Sequence, residues 1–282
     1  FQGIMDFEHG ESYWAILKYF FPEFITNVVI YSLPFLIDSV FIGCLKSTSA
    51  YTTLSVTNTI MHMLVKLGEG LAVGGLVLVG HNNGQKLYKA AGKVFSELFW
   101  VSVVAALVIS SLLFFGAFWI YKWFGVPENL ISMGVPFLRL RAIAMFFMYV
   151  YFAFVGFLRG IKNTKVPMMI FVGGGIVLVV FDWLLIFGKL GFPEMGLQGS
   201  AVAAVLQYSS MLIFAIGYML LNSDVRKYSI ELFHRISSFE NIKSILVLSW
   251  PVILDKIAFA SSYIWLGKML APMGKYTLAS YG

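Results

Sequence analysis

Long uninterrupted apolar runs constrain this chain more than any other feature. Residues 100–119, 142–158, 168–187 and 211–221 reach or approach the length of about 20 apolar residues that a helix needs to cross a membrane. The runs do not alternate between apolar and polar residues, so they favour spanning helices over the strands of a membrane barrel. Hydrophobic residues make up 59% of the chain and charged residues only 12%, which excludes a water-soluble domain.

Polar residues between the runs divide the chain into seven predicted helices. Their bounds are 15–44, 51–80, 92–122, 131–158, 166–188, 197–221 and 245–271. The predicted fold class is an all-α integral membrane protein, with a six-helix lobe at 4–221, a linker at 222–244 and the start of a second lobe at 245–282. Residues 1–3 resemble the remnant of a cleaved tag. A seventh helix needs a bundle to pack against, so we expect the protein to continue after it.

Basic residues are distributed unevenly over the connections between these helices. The connections after the first, third and fifth helices carry one lysine each. Those after the second, fourth and sixth carry three or four basic residues: Lys86, Lys89 and Lys93; Arg159, Lys162 and Lys165; and Arg226, Lys227, Arg235 and Lys243. Because basic loops stay in the cytoplasm, the pattern predicts an inner-membrane protein with a cytoplasmic N-terminus. The net charge of +6 arises from these loops and does not indicate nucleic-acid binding.

The segment after the linker is a weak repeat of the beginning of the chain. Phe21-Pro22 begins an early helix and Trp250-Pro251 begins the seventh, and both helices end before similar polar segments at 50–55 and 275–280. Because six helices intervene, the two repeats run in the same direction. Parallel repeats are typical of transporters in which two bundles rock against each other. This pattern favours solute transport as the function.

Two acidic residues lie inside predicted membrane helices, where a charge is costly unless it has a partner or a function. Asp38 lies 16 residues after Pro22, and Asp182 lies 15 residues after Pro167. At about 1.5 Å per residue, each carboxylate lies about 22–24 Å beyond its proline, in the outer half of the bundle. Two carboxylates at one depth can share a proton or a cation, so we predict that they form a cation-coupling site.

Other polar residues inside the predicted helices leave alternatives open. Arg139 or Arg141, at the outer start of the fourth helix, would neutralise either acid. Lys66 and Glu69 lie three residues apart on one face of the second helix, where an ion pair is favoured over a ligand role. The candidates for a substrate cavity are Tyr149, Gln207, Lys66 and Glu69. Helix kinks are predicted at Pro22, Pro34 and Pro251, because proline removes a backbone donor.

Several motifs resemble those of the multidrug and toxic-compound extrusion (MATE) transporters. Residues 38–43, Asp-Ser-Val-Phe-Ile-Gly, resemble the end of the family's first helix. Residues 158–167, Leu-Arg-Gly-Ile-Lys-Asn-Thr-Lys-Val-Pro, are similar to the loop between its fourth and fifth helices and are the most specific match. Further matches lie at 74–84, 182–188, 196–201 and 249–251. His81 stands where the family usually has glutamine.

The resemblance implies the six-helix N-lobe, and the seventh helix, of a twelve-helix transporter with two lobes. Such a transporter exports organic, often cationic or amphiphilic, compounds in exchange for protons or sodium. In the DinF-like branch of the family, the coupling acids correspond to Asp38 and Asp182. The implied partners are a small-molecule substrate and membrane lipid, and we expect a monomer. No enzyme activity, metal or organic cofactor is expected beyond the coupling ion.

Two departures from the family's pattern favour protons over sodium as the coupling ion. Leu178 stands where asparagine is usual, one turn before Asp182, and Ala204 stands where threonine is usual on the sixth helix. Both changes remove a neutral oxygen, and sodium needs several oxygen ligands whereas a proton needs one acceptor. A different branch has an acid two turns after the proline of helix seven, but that position is Phe259 here.

Three other functions remain open. A lipid-linked oligosaccharide flippase of the same superfamily would need a strongly cationic cavity, for which Lys66, Arg139 and Arg141 are available, but the acid pair opposes it. An intramembrane aspartyl enzyme would use the same two acids, but neither carries a Gly-x-Gly-Asp signature. A lobe that packs passively without transport is the third possibility. Further spans after Gly282 would distinguish it from a transporter.

Overall fold

The computed structural model describes residues 13–31, 33–232, 239–270 and 273. Every regular element in this part of the chain is a helix, which confirms the predicted all-α fold class. The helices are α1 (Tyr13–Tyr31), α2 (Leu33–Cys44), α3 (Thr48–Gly84), α4 (Tyr88–Trp123), α5 (Glu128–Gly160), α6 (Lys165–Ile186), α7 (Leu197–Leu221), α8 (Ser223–Arg226) and α9 (Phe239–Leu270). A short 3-10 turn at Lys189–Gly191 lies between α6 and α7.

By length and composition, five of the described helices are able to cross a membrane, and these are α3 to α7. The predicted first helix, 15–44, is described in two parts, α1 and α2, with residue 32 outside the described residues. The predicted seventh helix corresponds to α9, which begins at residue 239 instead of 245. The tag remnant predicted at 1–3 and the polar segment at 275–280 lie outside the described part.

Helix α5 forms the centre of the bundle. It packs against α3, α4 and α7, and 78% of its most apolar window is buried, compared with 22% for α4 and for α7. The outer face of α4 instead exposes an apolar stripe at helical spacing: Val104, Leu107, Val108, Leu112 and Phe115. Water-soluble proteins rarely expose a contiguous stripe of large apolar side chains. The stripe is therefore the face that a membrane helix turns towards lipid.

Glycines allow the central helices to approach each other closely. A Cβ atom on Gly156 of α5 would lie 2.6 Å from the carbonyl oxygen of Ala72 on α3. A Cβ atom on Gly199 of α7 would lie 2.8 Å from the carbonyl carbon of Leu185 on α6. Contacts this short fit only glycine, so small residues set the spacing of the α3–α5 and α6–α7 pairs.

The three prolines predicted to kink helices lie in two different settings. Helix α1 continues through Pro22 and α9 continues through Pro251. The hydroxyl of Thr26 donates to the carbonyl oxygen of Pro22 at 2.7 Å, an arrangement that often accompanies a bend. Pro34 lies close to residue 32, which is outside the described residues. A kink at each of the three positions stays a prediction.

The described part of the linker packs against one end of the bundle. We call this end, formed by residues 85–87, 161–164 and 222–232, the basic end, and the opposite end, at 45–47, 124–127 and 187–196, the far end. The Tyr228 hydroxyl donates to Asn83 at 2.8 Å, and its ring packs edge-on against Phe157 at 5.3 Å. Trp100 donates to the carbonyl oxygen of Leu232 at 2.7 Å. Residues 233–238 of the predicted linker lie outside the described residues.

Candidate functional site

A buried polar cluster connects α2, α5 and α7 in the half of the bundle nearer the far end. The guanidinium of Arg141 on α5 donates from one nitrogen, Nη2, to Asp38 Oδ2 on α2 and to Ser200 Oγ on α7, the latter at 3.2 Å. The Ser200 hydroxyl donates to the other carboxylate oxygen, Asp38 Oδ1, at 2.5 Å. Asp38 is 1% exposed and Arg141 8%. The negative charge of Asp38 is therefore balanced inside the protein.

Asp182 of α6 belongs to the same cluster but has no such balance. It is completely buried, one turn before the end of α6, and neither of its carboxylate oxygens has a hydrogen-bond partner among the described residues. Asp38 and Arg141 both act on it electrostatically. The structure thus brings together the two acids that were predicted to lie at one depth. With all three groups ionised, the cluster carries one uncompensated negative charge.

An uncompensated charge in this setting has a direct chemical consequence. A buried carboxylate without a hydrogen bond is strongly destabilised, so it takes up a proton or a cation, or becomes exposed by a conformational change. Asp38 has as its partner a guanidinium, a group that does not lose its proton in proteins. Of the two acids, Asp182 is therefore the one without a hydrogen bond or an ion-pair partner among the described residues.

The structure resolves which arginine meets the acids. Arg139 lies on another side of α5, where its Nε donates to the carbonyl oxygen of Phe114 at 3.2 Å and its guanidinium lies 5.4 Å from the centre of the Phe114 ring. Arg141 points into the bundle and pairs with Asp38. Residues two apart on a helix face different directions, so only one of them reaches the cluster.

One oxygen atom of this site was not anticipated by the sequence analysis. Leu178 and Ala204 are both buried and supply no side-chain oxygen, as expected. Helix α7 nevertheless contributes the hydroxyl of Ser200, one turn before Ala204, which bonds Asp38 directly. Ser200 belongs to a motif visible in the sequence, Gln-Gly-Ser-Ala at 198–201, but the sequence does not give the rotation of α7 that turns this hydroxyl towards α2.

A small cavity of about 40 Å³ adjoins the cluster. Its polar lining consists of Asp38, Asn58, His62, Arg141 and Tyr208, and three methionines from α3 and α5 (Met61, Met145 and Met148) form much of the rest. A water molecule needs roughly 10–15 Å³ measured in this way, so the cavity has room for a few waters. Its volume is far below the several hundred Å³, roughly, of a pocket for an organic ligand.

The four residues predicted to line a substrate cavity do not line this one. Tyr149 is 1% exposed, and its hydroxyl donates to the carbonyl oxygen of Leu64 at 2.5 Å. Lys66 and Glu69 form the ion pair that the sequence favoured, at 3.8 Å along α3. Gln207 is buried beside Gly174 of α6. Their role in a substrate cavity stays a prediction.

Two residues that the sequence analysis did not single out line this small cavity. His62 lies one turn before Lys66 on α3, and Tyr208 directly follows Gln207 on α7. Both are polar residues on membrane helices, and that signal was available in the sequence. The choice between neighbouring positions depends on helix rotation, which only the packed bundle fixes.

Comparison with known proteins identifies the family. The family model described as MatE matches residues 23–184, more than half of the chain. The chain belongs to the MatE family. This confirms the family that the motifs at 38–43 and 158–167 indicated. Assignment to the DinF-like branch stays a prediction.

Two curated relatives illustrate the match. The probable multidrug resistance protein YoeA of Bacillus subtilis (strain 168) is 26% identical over 280 residues, which cover 96% of this chain and 59% of YoeA. The multidrug export protein MepA of Staphylococcus aureus (strain NCTC 8325 / PS 47) is 23% identical over 98% of this chain and 60% of MepA. The chain therefore spans little more than half the length of these relatives.

Solved structures show the same fold. A multidrug resistance MATE family transporter of the MOP superfamily in an outward-facing conformation matches with a TM-score of 0.80 at 20% identity, over 89% of this chain and 54% of that one. An inward-facing conformation described in the same terms matches with a TM-score of 0.79 at 18% identity, over 88% and 55%. The fold predicted from the sequence, that of part of a MATE transporter, is confirmed.

Proposed function

We propose that this chain is part of an antiporter that exports organic compounds in exchange for protons. The observation that carries the proposal is the uncompensated negative charge of the Asp38–Arg141–Asp182 cluster. A proton on Asp182 makes the cluster neutral, and loss of that proton restores the charge. A site with these two states provides the exchangeable ion that an antiporter needs.

The substrate class is supported by the relatives. YoeA and MepA are named for multidrug resistance and multidrug export, and we extend that class to the protein that contains this chain. A cationic or amphiphilic compound would be attracted to the bundle while the cluster is negative. It would be released once a proton makes the cluster neutral. Proton entry and substrate release would in this way be coupled through one charge.

Transport by the intact protein in vesicles, under separate pH and sodium gradients, tests the proposal. We expect efflux of a cationic dye to follow the pH gradient. Asp182→Asn and Asp38→Asn should each lower pH-driven transport by at least about tenfold, since each removes an acid of the cluster. Asp224→Asn, on the exposed helix α8, is the matched control and should transport normally.

Two outcomes would contradict this function. Transport that follows the sodium gradient and ignores pH would exclude proton coupling. Unchanged coupled transport in both Asp38→Asn and Asp182→Asn would remove the cluster from the coupling mechanism.

We further propose a monomer in the inner membrane, surrounded by lipid, with its N-terminus and basic end in the cytoplasm. The proposed organisation is a first lobe at 4–221, a linker at 222–244 and the start of a second lobe at 245–282. Lys86, Lys162 and Arg226 all lie at the basic end, in accord with the positive-inside rule.

Cys44, the only cysteine of the chain, is exposed at the far end of α2. A membrane-impermeant maleimide should therefore label Cys44, but not the Cys44→Ser control, from outside intact cells. Labelling of Cys44 only after the cells are opened would mean that the protein has the opposite orientation.

The alternative functions have less support. The flippase alternative needs several free cations in one cavity, but Arg141 is paired with Asp38, Lys66 with Glu69, and Arg139 lies on another side of α5. An aspartyl enzyme needs two acids that share a proton directly, whereas one of these acids is paired with an arginine. A passive packing role gives no reason for a buried, uncompensated acid.

A further inference from the structure

We propose that the guanidinium of Arg141 occupies the cation position of the cluster, so that the site accepts a proton and excludes sodium. The role in transport rests on the proposed function. The ion preference itself is a property of the cluster and is testable by binding alone. Arg141 is thus a residue that determines ion specificity, and it acts by filling a position that a metal ion would otherwise take.

The oxygen atoms at the site would suit a metal ion if Arg141 were absent. Asp38 and Asp182 offer two carboxylate oxygens each, and Ser200 adds a hydroxyl. Hard cations are held by sets of carboxylate and neutral oxygens of this kind. The loss of oxygens at Leu178 and Ala204 does not by itself exclude sodium, because Ser200 restores one of them.

The hydrogen bonds of Arg141 remove most of these oxygens from use. Its Nη2 group donates hydrogen bonds to both Asp38 Oδ2 and Ser200 Oγ, and the Ser200 hydroxyl donates one to Asp38 Oδ1. A cation at Asp38 would have to displace the guanidinium. Among the described residues, the carboxylate oxygens of Asp182 are the ones that this network leaves without a hydrogen bond. Two oxygens of one carboxylate are too few for sodium, but one is enough for a proton.

Charge leads to the same conclusion. The guanidinium remains protonated in proteins, so a sodium ion beside it would place two positive charges together in a medium that screens them poorly. A proton on Asp182 forms a covalent O–H bond and leaves a neutral group. The cluster lacks exactly one unit of positive charge, which a single proton supplies.

The surrounding helices add no further acid to this balance. The groups that act electrostatically on Arg141 in the described residues are Asp38, Tyr208 and Asp182, and only Asp38 and Asp182 are carboxylic acids. From α4, Tyr121 interacts electrostatically with Arg141 and bonds Thr57 of α3 at 2.5 Å. Tyr208 of α7 also lines the adjoining cavity, as does His62 of α3. None of these groups would compensate a bound sodium ion.

Removal of the guanidinium tests the proposal. We expect Arg141→Gln to bind radioactive sodium at least about tenfold more tightly than the wild-type protein, because the variant has two buried acids and open oxygen atoms. Sodium chloride should also raise the melting temperature of this variant above that in choline chloride of equal concentration, since a bound ligand stabilises the folded state. Arg141→Lys keeps a positive charge at the site and is the matched control, with sodium binding close to that of the wild type.

A second variant covers the case in which Arg141→Gln does not fold. Asp38→Asn with Arg141→Gln removes both charges of the ion pair, so no unpaired charge remains at Asp38, and leaves Asp182 among neutral oxygens. It should also gain sodium binding. Saturable sodium binding by the wild-type protein would overturn the proposal, and so would a lack of gained sodium binding in both variants. If the wild type transports nothing along either gradient while Arg141→Gln gains sodium binding, the proposed function fails but the ion preference stands.

Discussion

Helix α5 carries two arginines that hold the first part of the chain at two different depths. Arg141 pairs with Asp38 of α2, and Arg159 pairs with Glu23 of α1 at 2.7 Å. By burial, and not by side of the membrane, we call Arg141–Asp38 the inner pair and Arg159–Glu23 the outer pair. The side chains of the inner pair are 9% and 2% exposed, whereas those of the outer pair are 14% and 34% exposed. The ion types are the same, but the surroundings differ.

The difference between the two pairs shows that the role of an ion pair depends on its burial and on the charged and polar groups beside it. Glu23 and Arg159 meet at the basic end, close to the loop where Lys162 lies 6.0 Å from the centre of the Tyr19 ring. These contacts fasten α1 to the loop between α5 and α6. The inner pair is bonded to Ser200 and lies next to Asp182, an acid without a hydrogen bond. Only the inner pair takes part in a charge balance that one ion can change.

The strongest test of the comparison is removal of the inner arginine. Arg141→Met should destabilise the protein by about 3–5 kcal/mol, because Asp38 is left buried without a counter-charge. The apparent melting temperature of the purified protein in detergent measures the effect.

Two matched variants serve as controls for that experiment. Arg139→Met removes the same side chain two residues away, where it bonds only the carbonyl oxygen of Phe114, and should change stability far less. Combining Arg141→Met with Asp38→Asn should recover most of the lost stability. Equal destabilisation by Arg139→Met and Arg141→Met would mean that the buried pair has no special importance for stability.

A smaller effect is expected at the hydroxyl that completes the inner cluster. Ser200→Ala removes the hydrogen bond to Asp38 Oδ1 and should cost about 1.5–3 kcal/mol, the range for hydrogen bonds to charged groups. The melting temperature again measures it. Ser209→Ala, on the same helix, loses only a bond to the carbonyl oxygen of Leu206 and should be close to neutral. A neutral Ser200→Ala variant would show that Arg141 alone stabilises Asp38.

The smallest effect is expected at the outer pair. Glu23→Gln should change stability by at most about 1 kcal/mol, because the pair is partly exposed to solvent and screened by salt. Melting temperatures at low and high salt should reveal a difference between wild type and variant that shrinks as salt rises. A loss as large as that of Arg141→Met would erase the distinction between the two pairs.

Some features of the candidate site were predictable from the spacing of residues along the sequence. The spacings from Pro22 to Asp38 and from Pro167 to Asp182 predict that the two acids lie at one depth, because the rise per residue of a helix is fixed. The pair Lys66–Glu69 followed from spacing on one helix face. The partner of Asp38 did not follow, since Arg139 and Arg141 are equally close in sequence and differ only in the side of α5 on which they lie.

The sequence by itself determined a helical membrane protein of the MatE family and the approximate bounds of five apolar helices, and it predicted one depth for the two acids. These properties depend on the length of apolar runs, on local spacing and on motifs, none of which requires neighbouring helices. The tertiary structure decided which faces meet: Arg141 with Asp38, Ser200 with the same ion pair, and His62 and Tyr208 at the small cavity beside them. Helix rotation is set by side-chain packing across the bundle, and that information is not contained in any single helix.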